Sequence, residues 1–144
     1  MNDFAERAAG LDVGDKTIGV AVSDALNITA QGIETIRRTD DTADFAHLTE
    51  IFTQYNVTSV VVGLPKNMDG SEGERCRIVR EFAATMTERI TKPFKLLFQD
   101  ERLSTVAAER TLKEAGQRRK KRKKVVDKMA AVIILQAYLD RHSF

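Results

Sequence analysis

Three separated groups of carboxylates could act together if the fold brought them to one place. They are Asp12 in Gly10-Leu11-Asp12-Val13-Gly14, the pair Asp100-Glu101, and Asp127 just after a basic run. Clustered carboxylates repel, and a fold tolerates them chiefly when a cation neutralises them. Oxygen ligands without His or Cys suit Mg²⁺ or Mn²⁺. Two such ions about 3.5 to 4 Å apart can bind phosphodiester oxygens, activate a water for in-line attack and stabilise the leaving oxygen. The chemistry these residue types favour is therefore phosphodiester hydrolysis. The block Arg118, Arg119, Lys120, Lys121, Arg122, Lys123 and Lys124 would supply what an acidic centre lacks, attraction for a nucleic acid. Taken singly, each feature has a plainer account: Asp12 bonded into a turn, Asp127 as a helix cap, the basic run as a solvated face.

Asp12 has neighbours suited to that work. Read as a strand from Ala9, the segment puts Leu11 and Val13 on one face and Gly10, Asp12 and Gly14 on the other, because side chains alternate with period two. Asp12 then stands on a bare face, and a glycine in a strand marks close approach by a ligand or another backbone. Gly14-Asp15-Lys16 reads as a turn. Thr17 to Ser23 returns with Ile18, Val20 and Val22 on one side and Thr17, Gly19, Ala21 and Ser23 on the other. At the second acidic position, alternation means that only one of Asp100 and Glu101 easily points at Asp12, without saying which. Asp127 heads the most apolar helix in the chain, where an ionised group is expensive unless water or a partner reaches it.

The elements that must position these groups follow from patterning. Ile28 to Ile36 is a third strand, and three strands with short connections make an antiparallel meander. Asp40, Asp41 and Thr42 start a helix whose apolar face is Phe45, Leu48, Ile51, Phe52 and Tyr55, ended by Asn56 in the left-handed conformation. Val60 to Leu64 is continuously apolar, as a strand covered on both faces must be, and Pro65 stops it. Lys66 to Gly70 is a loop, and Ser71-Glu72-Gly73-Glu74 has the form of a capping box opening the next helix, with Val79, Phe82, Ala83, Met86 and Ile90 inward. Phe94 to Glu101 is a fifth strand with Phe94, Leu96 and Phe98 on one face. Leu103 to Ala115 is a helix capped by Ser104 or Thr105 and closed by Gly116. Val125 to Leu139 is apolar almost all round, so most of it should be buried. The result is an α/β fold, a five-stranded mixed sheet in one domain. Right-handed crossovers set the fourth strand parallel to the first and the fifth parallel to the fourth. Their carboxyl ends, where open α/β sheets bind ligands, then carry Asp12 and the Asp100-Glu101 pair.

Composition narrows the classes. The chain has 144 residues, 42% hydrophobic and 31% charged, as a water-soluble globular domain does. No apolar run approaches the roughly 18 residues of a membrane span, and Asp3, Glu6 and Arg7 stand where a signal peptide needs an apolar core, so a cytoplasmic protein without a membrane partner is expected. A single cysteine, Cys76, cannot make an internal disulfide. His47 and His142 stand far apart without Cys partners, which argues against structural zinc. The net charge of +2 conceals an uneven distribution: without the seven cations of the basic block, 16 basic residues face 21 acidic ones.

Four ordered motifs carry a resemblance. Residues 10–24 (GLDVGDKTIGVAVSD), 61–74 (VVGLPKNMDGSEGE), 100–105 (DERLST) and 119–140 (RKKRKKVVDKMAAVIILQAYLD) resemble the YqgF/RuvX family of bacterial nucleases with the RNase H-like fold, and the likeness covers nearly the whole chain. It implies a Holliday junction resolvase, and also a role in trimming the 5′ end of the precursor of small-subunit ribosomal RNA. Carried over residue by residue, the catalytic and metal-binding acids would be Asp12, Glu101 and Asp127, with Mg²⁺ or Mn²⁺ as cofactor. Of the acidic pair, the resemblance selects Glu101. In the middle motif, Asn67 is a possible substrate-loop residue, and Asp69-Gly70 is more simply a turn.

The leading expectation is thus a metal-dependent endonuclease acting on an rRNA precursor or branched DNA, with Asp12 shared between two ions. A homodimer stays an open option. Two other classes compete. A nucleic-acid-binding ribosome assembly factor needs the basic block but not the acids. Phosphoryl transfer from ATP fits Asp-x-Gly in a glycine-bearing hairpin but calls for a second domain, which this length does not provide.

Overall fold

The computed structural model describes residues 5–101 and 119–142; the side chains of residues 119–128 lie outside that description. Strands β1 (Arg7–Val13), β2 (Thr17–Ser23) and β3 (Ala30–Arg37) are followed by α1 (Asp41–Gln54), β4 (Val57–Leu64), α2 (Glu74–Arg89), β5 (Lys95–Asp100) and α3 (Arg119–Arg141). The helix expected over Leu103 to Ala115, with its Ser104 or Thr105 cap and Gly116, lies outside the described residues, as does Arg118.

The strands form one sheet in the order β3-β2-β1-β4-β5. The hairpin partners run antiparallel, and β4 runs parallel to both β1 and β5, as the crossover rule requires. Alternation sorts the side chains. Leu11, Val13, Ile18, Val20 and Val22 join Phe45, Leu48, Phe52, Val79, Phe82 and Met86 in one core beneath α1 and α2. Phe45 and Phe82 meet with ring centroids 5.2 Å apart, closing the layer between the two helices. On the opposite face, Ala8, Ala21 and Val61 lie under Ala131, Ile134, Leu135 and Leu139 of α3. Small residues on the sheet let that helix sit close, which is why Thr17 to Ser23 looks bare on one side.

Several local expectations hold in detail. The Asp40 side chain accepts from the Ala43 amide at the start of α1, and Asn56 has φ 51° after its end. Cys76 is fully buried in the α1/α2 core, and that burial pushes its thiol pKa up, consistent with a packing role.

Other expectations are corrected. β1 starts at Arg7, because the Arg7 amide donates to Asn56 O (3.1 Å) and the Ala8 amide to Ser23 Oγ (2.9 Å). β4 correspondingly starts at Val57, opposite Arg7. β3 starts at Ala30 and not Ile28, because Asp24 Oδ1 draws the Ile28 and Thr29 amides into a loop. Gly73, not Ser71, is the N-cap of α2: the Ser71 hydroxyl is engaged with Asp69 Oδ1 and Asn67 Nδ2. The expectation that most of Val125 to Leu139 is buried holds for one face of the described part, from Met129 on. Ala130, Ala131, Ile134, Leu135 and Leu139 are buried, whereas Val132 and Ile133 are half-buried and Met129 is exposed. Among the described residues, no helix is long and apolar enough to cross a membrane.

Candidate active site

Asp12 is the last but one residue of β1 and is buried, with 7% of its surface exposed. Its partner across the hairpin is Gly19, so nothing bulky stands beside it on β2. The face it occupies follows from Gly10, two residues earlier: a Cβ there would lie 2.7 Å from Leu135 Cβ and 2.9 Å from Ala131 O. Gly10 therefore faces α3 at a distance only glycine permits, and Asp12 shares that face by alternation.

Glu101 follows β5 directly and is 5% exposed. Its amide donates to Leu64 O at 3.3 Å, which fixes its backbone at the carboxyl end of β4. Its side chain lies over Gly63, where a Cβ would collide with Glu101 Oε2 and with Ile134 Cδ1. Gly63 is one step on in the parallel register that pairs Leu11 with Val62, which brings Asp12 alongside it. Asp12 and Glu101 thus flank the same glycine on α3's side of the sheet. Asp100 does not join them. Leu96 and Phe98 pack against the α1/α2 core while Leu97 packs under α3, so alternation sends Asp100 to the first face and Glu101 to the second.

The third expected acid, Asp127, lies on α3, and its side chain is outside the described residues. α3 runs antiparallel to β1: Leu139 and His142 share a cleft with Ala8, and Leu135 and Ala131 cover Gly10. Four helical residues rise about 6 Å and two strand residues span about 6.6 Å. On those rises position 127, four residues before Ala131, is expected level with Asp12, two residues after Gly10. Positions 119–124 belong to the helical turns that continue past it. The side chains of Asp127 and of Arg119 to Lys124 are outside the described residues. Among the described residues, no three His, Cys, Asp or Glu side chains are grouped to hold an ion; Asp12 and Glu101 are the two members of the expected set that are described.

The rim of this end of the sheet is built by the β1–β2 turn and the loop after β4. Arg75, in the first turn of α2, donates to Asp15 Oδ1 (2.7 Å) and to Val13 O (3.3 Å), tying α2 to the chain just beyond Asp12. Arg38 donates to Gly14 O (2.9 Å) from the other side while paired with buried Asp44. Asn67 is turned into its own loop, with Nδ2 donating to Ser71 Oγ at 3.0 Å, and Asp69 Oδ1 accepts the Ser71 amide as a turn residue does. Arg80 grips Glu72 through two bonds and lowers its pKa below the usual carboxylate range.

The residue reading alone did not pick out Gly63, Arg75 or the choice of Glu101. A signal for the last existed: Asp12 lies opposite Leu11 and Val13, and Glu101 opposite Phe94, Leu96 and Phe98 in phase. Had those two greasy faces been assigned to one core, Glu101 would have been the matching acid.

Among solved structures, Thermus thermophilus RuvC in complex with a Holliday junction substrate superposes with TM-score 0.56, at 13% identity, over 95% of this chain and 96% of that one. The fowlpox virus Holliday junction resolvase gives 0.52, at 13% identity, over 95% and 99%. Likenesses at that identity define the fold, which is the RNase H-like one of these resolvases. A family model described as "RuvX: Holliday junction resolvase" matches residues 6–141. A protein from Halalkalibacterium halodurans named "Putative pre-16S rRNA nuclease" is 56% identical over 137 residues, covering 94% of this chain and 96% of its own. One of the same name from Myxococcus xanthus is 54% identical over 136 residues, covering 94% and 89%. The chain belongs to the RuvX family, and with it to the nucleases.

Proposed function

We propose that this protein is a divalent-metal-dependent endonuclease of one RNase H-like domain that trims the 5′ end of the small-subunit rRNA precursor in the cytosol. The names of its relatives favour that substrate over branched DNA, which the family description keeps as the alternative. The observation that carries the reading is the placement of two buried carboxylates, Asp12 and Glu101, on one face of the sheet beside a glycine that leaves room for Glu101.

The residues fit a hard divalent cation. The donors are carboxylate oxygens without His or Cys, and Gly63 keeps clear the space that Glu101 fills. Asp12, Glu101 and Asp127 would hold Mg²⁺ or Mn²⁺, which when bound supplies charge neutralisation at the phosphate and a more acidic water. The protein's own contribution is positioning. The short approach of α3 at Gly10, made by Ala131 and Leu135, would bring position 127 toward the end of β1, and the Leu64 carbonyl fixes Glu101. The cations Arg118 to Lys124 would neutralise backbone phosphates and hold the strand in place.

The test compares cleavage of a structured RNA copying the precursor's 5′ region, and of a four-way DNA junction, by wild type and Asp12→Asn with Mg²⁺ or Mn²⁺. Loss of cleavage in the variant is expected, with RNA the better substrate. Equal activity in both proteins removes Asp12 from the chemistry. Complementation of a deletion strain by Asp12→Asn would instead favour an assembly factor that only binds.

A further inference from the structure

We propose that Met68 is a substrate contact of this nuclease, an apolar tip that packs against the base of an unpaired nucleotide and so selects RNA with a single-stranded segment beside the cleaved bond. The inference deepens the RNA-hydrolase reading and rests on it for the substrate class.

Among the described residues, four large apolar side chains are exposed: Leu26, Ile28, Met68 and Met129. Met68, at 72%, is the one carried by the loop that leaves the carboxyl end of β4. That loop begins at the site itself: the Leu64 carbonyl accepts both the Lys66 amide (2.9 Å) and the Glu101 amide (3.3 Å). It is also built to hold one shape. The Gly70 amide donates to Asn67 O and the Asn67 amide to Ser71 O, both at 2.9 Å, while Asp69 and Asn67 side chains close on Ser71. Gly70 turns the chain at φ 88°. Every neighbour of Met68 is thus engaged inside the loop, and Met68 is held out in water.

Scattered exposed apolar residues need no explanation, but this one stands on a braced loop that opens from the site, with Lys66 two residues before it. The acids that follow Met68 are engaged inside the fold, Asp69 with Ser71, Glu72 with Arg80 and Glu74 with Arg77, while Arg75 closes the far end of the loop on Asp15 and Val13. A cation that takes a backbone phosphate, here Lys66, beside an apolar group that takes a base supplies the two parts of nucleic-acid recognition. An unpaired base offers an apolar face, and apolar side chains including Met insert between or against bases. The unbranched, polarizable thioether adapts to any base, so the contact reads unpairing and not sequence. Asn67, the loop residue that the residue pattern put forward, acts here as the brace.

The experiment measures binding by fluorescence anisotropy in EDTA, so that hydrolysis plays no part. The probes are an RNA hairpin with a short unpaired 5′ extension and the same hairpin blunt-ended. Wild type should prefer the extended RNA by about tenfold, the scale of one stacked base. Met68→Ala should abolish that preference while leaving blunt-hairpin affinity and the melting temperature unchanged, and Met68→Phe should restore it. Lys66→Ala should weaken both RNAs alike and reduce the salt slope by about 0.7 to 0.9. Photocrosslinking of 4-thiouridine in the extension should map to Met68. A preference that survives Met68→Ala, an equal loss on both RNAs, or no RNA binding by wild type overturns the proposal. If the preference depends on Met68 while wild type cleaves nothing with metal restored, the hydrolytic reading fails and the contact stands.

Discussion

Replacing Gly63 by alanine adds one methyl at the point where two packed groups already meet, Glu101 Oε2 and Ile134 Cδ1. The strand backbone itself accepts alanine, which is worth up to about 1 kcal/mol through the unfolded chain. Against that, forcing a methyl into a filled site costs about 1 to 3 kcal/mol. The net loss should be about 1 to 2 kcal/mol, or about 3 to 8 °C in melting temperature for a domain of this size. Activity should fall further than stability explains, because a misplacement of about 1 Å at a reacting group costs about 10²-fold. Ile134→Val, which removes the Cδ1 atom, separates the two effects. In the Gly63→Ala background it should recover most of the stability, since the two substitutions are in contact and do not add. It should not recover cleavage, since Glu101 stays displaced. The assays are urea unfolding and single-turnover cleavage with Mg²⁺ in excess. Wild-type rates for Gly63→Ala, or recovery of cleavage with Ile134→Val, would refute the argument that Gly63 exists to seat Glu101.

The neighbouring acids should differ sharply in the same cleavage assay: Glu101→Gln loses about 10²-fold or more, whereas Asp100→Asn, on the other face of β5, stays within about threefold of wild type. Asp24 gives a pH test. Hydrogen bonds from the Ile28 and Thr29 amides hold its carboxyl below the usual range, so its ionised form stabilises the β2–β3 loop above the unfolded-state pKa, and that contribution fades as pH falls through the lower folded value. The Ile28 amide resonance should titrate with a midpoint below that of a free aspartate, and Asp24→Asn should abolish the transition.

Strand and helix identities were legible where one period dominated, as in Thr17 to Ser23 or the Phe45, Leu48, Ile51, Phe52 stripe. Errors came where side chains competed for backbone groups. Ser71 has the spacing of a cap, yet its hydroxyl is taken by Asp69 and Asn67, a choice that depends on how a loop folds back. The start of β4 was hidden because Val57 is held by pairing with distant Arg7 and not by its own neighbours. The glycine-flanked Asp12 was readable as a site because its bare face made no sense for packing. Gly63 was not, because its reason is a carboxylate 38 positions later in the chain, and only the parallel register joins them.

The two rims of the sheet have a bearing on how copies of this chain can meet. An unpaired strand invites a neighbour's backbone, and proteins deter that with charge, proline and irregular pairing. Among the described residues, the β5 rim is short and opens on Pro93 and exposed Lys95, while β3 carries Glu34 and Arg37 and slips register against β2 between Val20 and Ala21. Ribbon extension from one molecule into the next is thereby discouraged at both margins. High local concentration, as along a long polyanion that several molecules share, should crowd these proteins without knitting them into fibres.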